Sequence, residues 1–379
     1  MSYLSGQPHF VLFPFVAQGH LIPMIDIGLL LAPCNVIVTI VTTPHNAERV
    51  QYTIARAMES GCPIRLVQLQ VPGKEVGLQD GVENVDMLVP GLTEKVEFTK
   101  AQLPLIRDES WKAIMEPLTE ADKASYGGII NTFEELESAY VREYKKIRKS
   151  WCIGPVSLSH KNELDTDKRG NKTSINKQEC LKWLDSQEPN SVIYACLGSI
   201  STIKFPELKE LGLGLEASDK PFIWVLRGKN ATSNQVEKWI KEDGFEERTK
   251  GRGLIIVGWA PQVLILSHSA IGGFLTHCGW NSTIEGISAG VPLITLPLLG
   301  DQFCNQKLVV QILKIGVNLG IEKPTMFGDE ESGFILKKEV KNAIYQLIDE
   351  GNEGIERRKR AKEFGEKAKK LLKLGALLT

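Results

Sequence analysis

The feature that most restricts the fold of this 379-residue chain is an alternation that runs, stops and runs again. "HFVLFPFVA" (9–17), "NVIVTIVTT" (35–43) and "PIRLVQLQV" (63–71) read as buried strands. Between them lie the helix patterns "LIPMIDIGLLLA" (21–32) and "AERVQYTIARAMES" (47–60). Such a β-α-β-α-β order predicts a parallel sheet, because a parallel partner is reached only through a crossover. Residues 72–125 show no strand pattern, which returns at "GGIINTF" (127–133). The stretch "HKNELDTDKRGNKTSINKQ" (160–178) has the polar composition of a linker. Beyond it come strand patterns at 191–199, 221–226, 253–259, 270–277 and 291–297, with helix patterns at 206–218, 260–268 and 281–290. From Lys337 the tail reads as charged helix. The predicted fold class is α/β, with two Rossmann-like doubly wound halves at 1–156 and 179–379, joined by a linker at 157–178. Their facing carboxyl strand ends would leave a cleft.

Composition excludes several classes of function. Hydrophobic residues at 42% and charged residues at 24% suit a soluble globular protein. A net charge of −1 offers no footprint for nucleic acid. Seven scattered cysteines without a CxxC pair read as reduced thiols and predict a cytoplasmic location. The start "MSYLSGQPHFVLFPFVAQGH" lacks a basic region and is broken by Pro14, so no signal peptide is expected. No apolar run approaches the ~18 residues of a membrane span.

Several motif lookalikes fail on context. "GLGLEA" (212–217) has dinucleotide-fingerprint spacing but lies late in a helix pattern. "GISAG" (286–290) ends a helix pattern, where a nucleophile elbow would leave a strand. "DTD" (165–167) reads as a solvated turn in the linker, with a cation ligand as its alternative, and the six histidines lack metal-ligand spacing. "FLTHCGWNSTIEGISAGVP" (274–292) is different, since it gathers His277, Trp280, Asn281, Ser282 and Glu285 at one strand-to-helix turn. Orphan N–H groups and the helix dipole make such a turn an anion site. Asn281 or Ser282 could serve simply as an N-cap, but Gly279 permits close backbone approach. Glu285 lies one turn inside the helix, so it faces the same mouth. A diphosphate with a ribose beside the carboxylate fits this arrangement. No Lys or Arg lies within 274–292, so dipole, amides and His277 would have to neutralise the charge.

"WAPQVLILSHSAIGGFLTHCGWNSTIEGISAGVPLITLPLLGDQ" (259–302) resembles the donor-binding signature of plant UDP-glycosyltransferases that act on small molecules. "HFVLFPFVAQGHLIPMIDIGLLLA", "NTFEELE" (131–137), "SVIYACLGS" and "FIWVLR" (222–227) resemble the same family. The resemblance implies a GT-B fold and inverting, metal-independent sugar transfer, with UDP-glucose as donor substrate and no cofactor. It places Trp259 on uracil, Gln262 beside the nucleoside and Glu285 on the ribose hydroxyls. His277, Asn281, Ser282 and Ser199 would hold the diphosphate; Trp280, Asp301 and Gln302 would contact the sugar. Trp280 and Gln302 resemble glucose-using members. His20 is the implied general base, at a helix entrance whose dipole opposes added positive charge. The implied partners are a UDP-sugar and a small apolar acceptor with a hydroxyl, of flavonoid, terpenoid or hormone type, with no nucleic acid and no membrane span.

The chain departs from the family in one region. "GVENVDM" (81–87) runs directly into "LVPGLTEKVEFTK" (88–100), where relatives carry sheet strands, acceptor helices and the aspartate that orients the histidine. Neither Asp80 nor Asp86 is assigned to that part. The C-terminus, "LLKLGALLT", also stops short of the family's usual helices. Two expectations follow: an active glucosyltransferase, or a truncated, impaired homologue that binds UDP-sugar or a partner without efficient transfer.

Overall fold

A computed structural model describes residues 8–14, 18–34, 36–42, 44–68, 87–88, 96–98, 102, 119–159, 173–198, 203–226, 231–322 and 335–375. The chain divides into two compact units, one of Met1–Leu78 with Gly154–Lys172, the other of Gln79–Ile153 with Thr173–Thr379.

In the first unit β1 (His9–Leu12), β2 (Ile37–Thr42) and β3 (Ile64–Gln68) form a parallel sheet in the order β1-β2-β3. The crossovers are α1 (Gln18–Leu31) and α2 (Pro44–Glu59). Each helix turns one apolar stripe to the sheet: Leu21 and Ile25 in α1, Ala47, Val50 and Ile54 in α2, all buried. The helix and strand patterns of the sequence thus appear where expected, with shorter strands.

The second unit begins with two short pairs. β4 (Met87–Leu88) and β5 (Glu97–Phe98) are antiparallel; β6 (Gly128–Ile130) and β7 (Ser150–Cys152) are parallel and joined through α3 (Ser138–Ile147). After α4 (Lys177–Asp185) come β8 (Val192–Cys196), α5 (Phe205–Ala217), β9 (Phe222–Leu226), α6 (Ala231–Glu242), α7 (Phe245–Arg248) and β10 (Gly253–Val257). Then follow α8 (Gln262–Leu266), β11 (Ile271–Thr276), α9 (Trp280–Ala289), β12 (Leu293–Thr295), α10 (Gln302–Lys307) and β13 (Gly316–Asn318). The chain closes with α11 (Lys337–Ile348) and α12 (Asn352–Gly375). The six strands from β8 onward form one parallel sheet in the order β10-β9-β8-β11-β12-β13. The chain winds outward from β8 in one direction, then returns to lay β11 on its other side. That reversal between β8 and β11 is a topological switch point, and their carboxyl ends are where such sheets bind ligands.

Sheet and helices enclose a core built on Ile193, Ala195, Trp224, Phe245 and Leu347. Phe245 lies with its ring centroid 6.1 Å from Trp224 and 5.1 Å from Trp239. α6 and α7 had no place in the sequence reading, although Val236, Trp239 and Ile240 bury one face of α6 at helical spacing and Phe245 of α7 is buried. "GLGLEA" is explained here as packing: a Cβ on Gly212 would come within 2.8 Å of the Trp224 ring. "GISAG" is helix end, with Ser288 buried and donating to Ile284 O at 2.5 Å.

Candidate functional site

β8 runs out into Leu197 and Gly198, and β11 runs out into His277, Cys278 and Gly279. These two strand ends meet around one imidazole. A Cβ on Gly198, which has φ 75°, would stand 2.5 Å from His277 Cε1, and one on Gly279 would stand 2.5 Å from Nε2. Glycine at both positions lets two backbones clasp the ring. His277 Nδ1 is buried without a hydrogen-bond partner in the protein. Desolvation lowers the His277 pKa to about 4. The imidazole is therefore neutral at pH 7 and brings an N–H to this turn. The sequence reading gave it a share in charge neutralisation, and desolvation removes that charge from the ring.

The turn itself is held by Cys278 at φ 63°, by Cys278 N donating to Thr276 Oγ1 at 3.3 Å, and by Asn305 Nδ2 donating to Cys278 O at 2.9 Å. α9 starts earlier than the sequence suggested. Its N-cap is Gly279, without a side-chain cap, and Thr283 N donates to Gly279 O at 3.0 Å. Asn281 and Ser282 are thus second and third in the helix, and neither is the cap. Their side chains and the first-turn amides stand together at the positive end of the dipole.

Gln262, the first residue of α8, ties the second part of the site together. Its Nε2 donates to Ser282 Oγ at 3.1 Å and to Glu285 Oε2 at 2.9 Å, and its Oε1 accepts from Tyr194 OH at 3.3 Å. Burial holds the Tyr194 phenol well above its usual range, so it remains a donor. Glu285 is only 8% exposed, one turn inside α9. Half-buried Trp259 is fixed through its backbone: Trp259 N donates to Ser174 Oγ and Ser174 N to Trp259 O, both at 2.9 Å. Past β12, Asp301 Oδ2 accepts from Asn305 Nδ2 at 3.0 Å. Gln302 Oε1 accepts from Leu298 N and Leu299 N at 2.8 and 3.1 Å, which fixes the 298–301 loop.

The structure brings Gln262, Ser282 and Glu285 into direct contact and sets His277, Trp280 and Asn281 at the mouth of α9. His20 lies in the first turn of α1, exposed, in the first unit. Ser199, Asp80, Asp86 and the "DTD" stretch lie outside the described residues. Sequence reasoning missed Gly198, Tyr194, Asn305, Ser174 and Asn131. Gly198 had a signal, a glycine directly after a strand; Ser174 had none, buried in linker-like composition. Asn131 accepts from Trp280 Nε1 through its carbonyl at 2.7 Å and donates from Nδ2 to Asn281 Oδ1 at 3.1 Å. Among the described residues no group of three or more His, Cys, Asp or Glu could hold a metal ion, and no helix is long and apolar enough to cross a membrane.

Residues 91–346 match the family model described as "UDP-glucoronosyl and UDP-glucosyl transferase". The chain is similar to UDP-glycosyltransferase 73C25 of Barbarea vulgaris, 45% identical over 469 aligned positions that take in 99% of this chain and 94% of that protein. It is equally similar to UDP-glycosyltransferase 73C5 of Arabidopsis thaliana, at 45% identity, 98% of this chain and 94% of that one. An alignment of 469 positions against 379 residues leaves at least 90 positions of the Barbarea protein without a counterpart. Among solved structures, Glycyrrhiza uralensis UGT73P12 complexed with glycyrrhetinic acid 3-O-monoglucuronide superposes with a TM-score of 0.84 at 30% identity, over 97% of this chain and 92% of that one. Phytolacca americana UGT2 complexed with UDP-2fluoro-glucose and pterostilbene shares the fold, with a TM-score of 0.68 at 23% identity over 96% and 95% of the two chains.

Proposed function

Because this chain belongs to the UDP-glucuronosyl and UDP-glucosyl transferase family and is a glycosyltransferase of α/β, GT-B fold, we propose that it transfers glucose from UDP-glucose to a hydroxyl of a small apolar acceptor, with inversion and without a metal ion. The observation that carries this reading is the Gln262 amide bridging Ser282 and Glu285 at the mouth of α9. One bridge holds a hydroxyl of the first turn of α9 beside a buried carboxylate, a pairing that suits a diphosphate with a ribose next to it.

In this reading uracil stacks on Trp259, with Gln262 beside the nucleoside and Glu285 on the ribose. The diphosphate sits on the first turn of α9 with His277, Asn281, Ser282 and Ser199, while Trp280, Asp301 and Gln302 meet the glucose. As the bond from the anomeric carbon to UDP breaks, the leaving group gains charge. Preorganised N–H dipoles meet that charge without reorganisation. His20 takes the proton of the acceptor hydroxyl as its oxygen attacks the anomeric carbon. The glycyrrhetinic acid 3-O-monoglucuronide named for the Glycyrrhiza structure supports a small-molecule acceptor. A cytoplasmic location belongs to the same reading, in keeping with seven unpaired cysteines.

The relatives' 90 or more positions that have no counterpart favour a second reading, a protein that binds UDP-sugar and transfers slowly. Two measurements separate them. Calorimetry should show UDP binding that weakens by ~1.5–3 kcal/mol in Glu285→Ala, the loss of a charged hydrogen bond. With chelator present, UDP-glucose and a panel of phenols should yield glucosides. UDP binding with no glucoside selects the second reading. Equal affinity of parent and variant removes Glu285 from the donor site, and an absolute need for a divalent cation overturns the metal-free reaction.

A further inference from the structure

We infer that Asn131 is a positioning residue for the donor site: it turns the Asn281 amide so that its NH2 faces the diphosphate, and it holds the Trp280 indole in place. The inference rests on the proposal that the first turn of α9 receives the diphosphate of UDP.

Asn131 follows β6 in a turn that is anchored on every side. Ile153 N donates to Ile130 O at 3.0 Å and Thr132 N to the same carbonyl at 2.8 Å. Thr132 Oγ1 donates to Glu137 Oε1 at 2.5 Å, and Phe133 and Leu136 are buried. From this turn two hydrogen bonds reach α9 across some 150 positions of sequence: Trp280 Nε1–H to Asn131 O at 2.7 Å, and Asn131 Nδ2–H to Asn281 Oδ1 at 3.1 Å. Neither is a helix cap.

The direction of the second bond matters chemically. A carboxamide offers an acceptor at one end and two donors at the other. At the mouth of a helix that takes an anion, Asn281 helps only if its NH2 points to the ligand; its carbonyl oxygen there would repel phosphate. By donating to Asn281 Oδ1, Asn131 engages the carbonyl and leaves the NH2 on the opposite side. The Trp280 bond acts alongside it. An indole held by one N–H cannot rotate about χ2 without losing that bond, so the ring proposed to meet glucose is preset before the donor arrives.

The test compares UDP with uridine, which lacks the phosphates, by calorimetry on the full chain. In Asn131→Ala, UDP affinity should fall about 3- to 10-fold, the worth of one neutral hydrogen bond. Asn131→Asp should cost more, because a carboxylate cannot donate to Asn281 Oδ1 and places negative charge beside the phosphates. Asn131→Ser keeps a hydroxyl donor and should lie between parent and Asn131→Ala. Uridine affinity should stay within about twofold throughout. In an Asn281→Ala background, Asn131→Ala should cost UDP binding nothing further, since the pair acts as a unit. Equal losses for UDP and uridine, or a full additive loss in that background, overturn the inference and leave Asn131 a packing residue. If the parent itself binds UDP no better than uridine, the donor-site reading falls first, and the two failures are distinct.

Discussion

His277 shows how much of this site is decided by desolvation. A pKa lowered to about 4 from the usual 6.5 means that the folded protein resists a proton the unfolded chain accepts. The stability that depends on the neutral ring is intact above about pH 6.5 and is lost progressively as pH falls towards 4. A diphosphate placed beside the ring reverses the balance, because a nearby anion favours the imidazolium. UDP binding should therefore draw protons from buffer, little at pH 7 and increasingly towards pH 5. Calorimetry in buffers of different ionisation enthalpy measures this uptake. Absence of any uptake at pH 5 would mean that the diphosphate does not lie beside His277.

At the scale of elements, the site depends on two strand ends approaching closely enough to clasp a ring. Gly198 combines φ 75° with a Cβ position 2.5 Å from His277, whereas Gly320 has φ 97° with nothing within 4 Å. Both Gly→Ala variants strain the backbone, by about 1–2 kcal/mol. Only Gly198→Ala should also displace His277 and weaken UDP. Denaturant melts and UDP titrations of the pair check this; equal UDP affinities would show that the clasp has no part in binding. The helix next to this clasp was legible in outline from "NSTIEGISAG", but its first residue was not. A glycine N-cap without a side-chain bond carries no capping signature, whereas the nearby Asn281 and Ser282 do. α6 carries a charged outer face, yet Val236, Trp239 and Ile240 keep the helical spacing that marks it in the sequence.

For the whole molecule, the division of labour between the units yields the boldest expectation. The residues proposed for the donor that fall within the described residues all lie in the second unit, and His20, the proposed base, lies in the first. His20→Ala should leave UDP affinity nearly unchanged and abolish transfer to aliphatic alcohols. Acidic phenols should be spared, because they ionise without a base. Transfer rates over a phenol series of graded acidity, in parent and variant, decide the matter. Fast transfer to an aliphatic alcohol by His20→Ala would show that His20 is not the base. By analogy with hydrolase triads, loss of an orienting carboxylate costs on the order of 10⁴-fold. The parent's own rate on alcohols thus reports whether another carboxylate serves in its place.

Some of this protein was determined by sequence alone. Alternating apolar runs and helical segments required parallel sheets, because only crossovers connect such runs in register. The cluster from His277 to Glu285 marked a strand-to-helix turn rich in polar side chains, because a strand end, a glycine and a helix start lie contiguous in the chain. What tertiary structure alone decided is everything carried by contacts between distant segments. The neutrality of His277 comes from desolvation, in a fold that brings Gly198, 79 positions away, against its ring. The orientation of Gln262 comes from Tyr194, and that of Asn281 from Asn131. Local pattern reports which groups are present. Their protonation and direction depend on the solvent they lose and the partners they meet, and folding sets both.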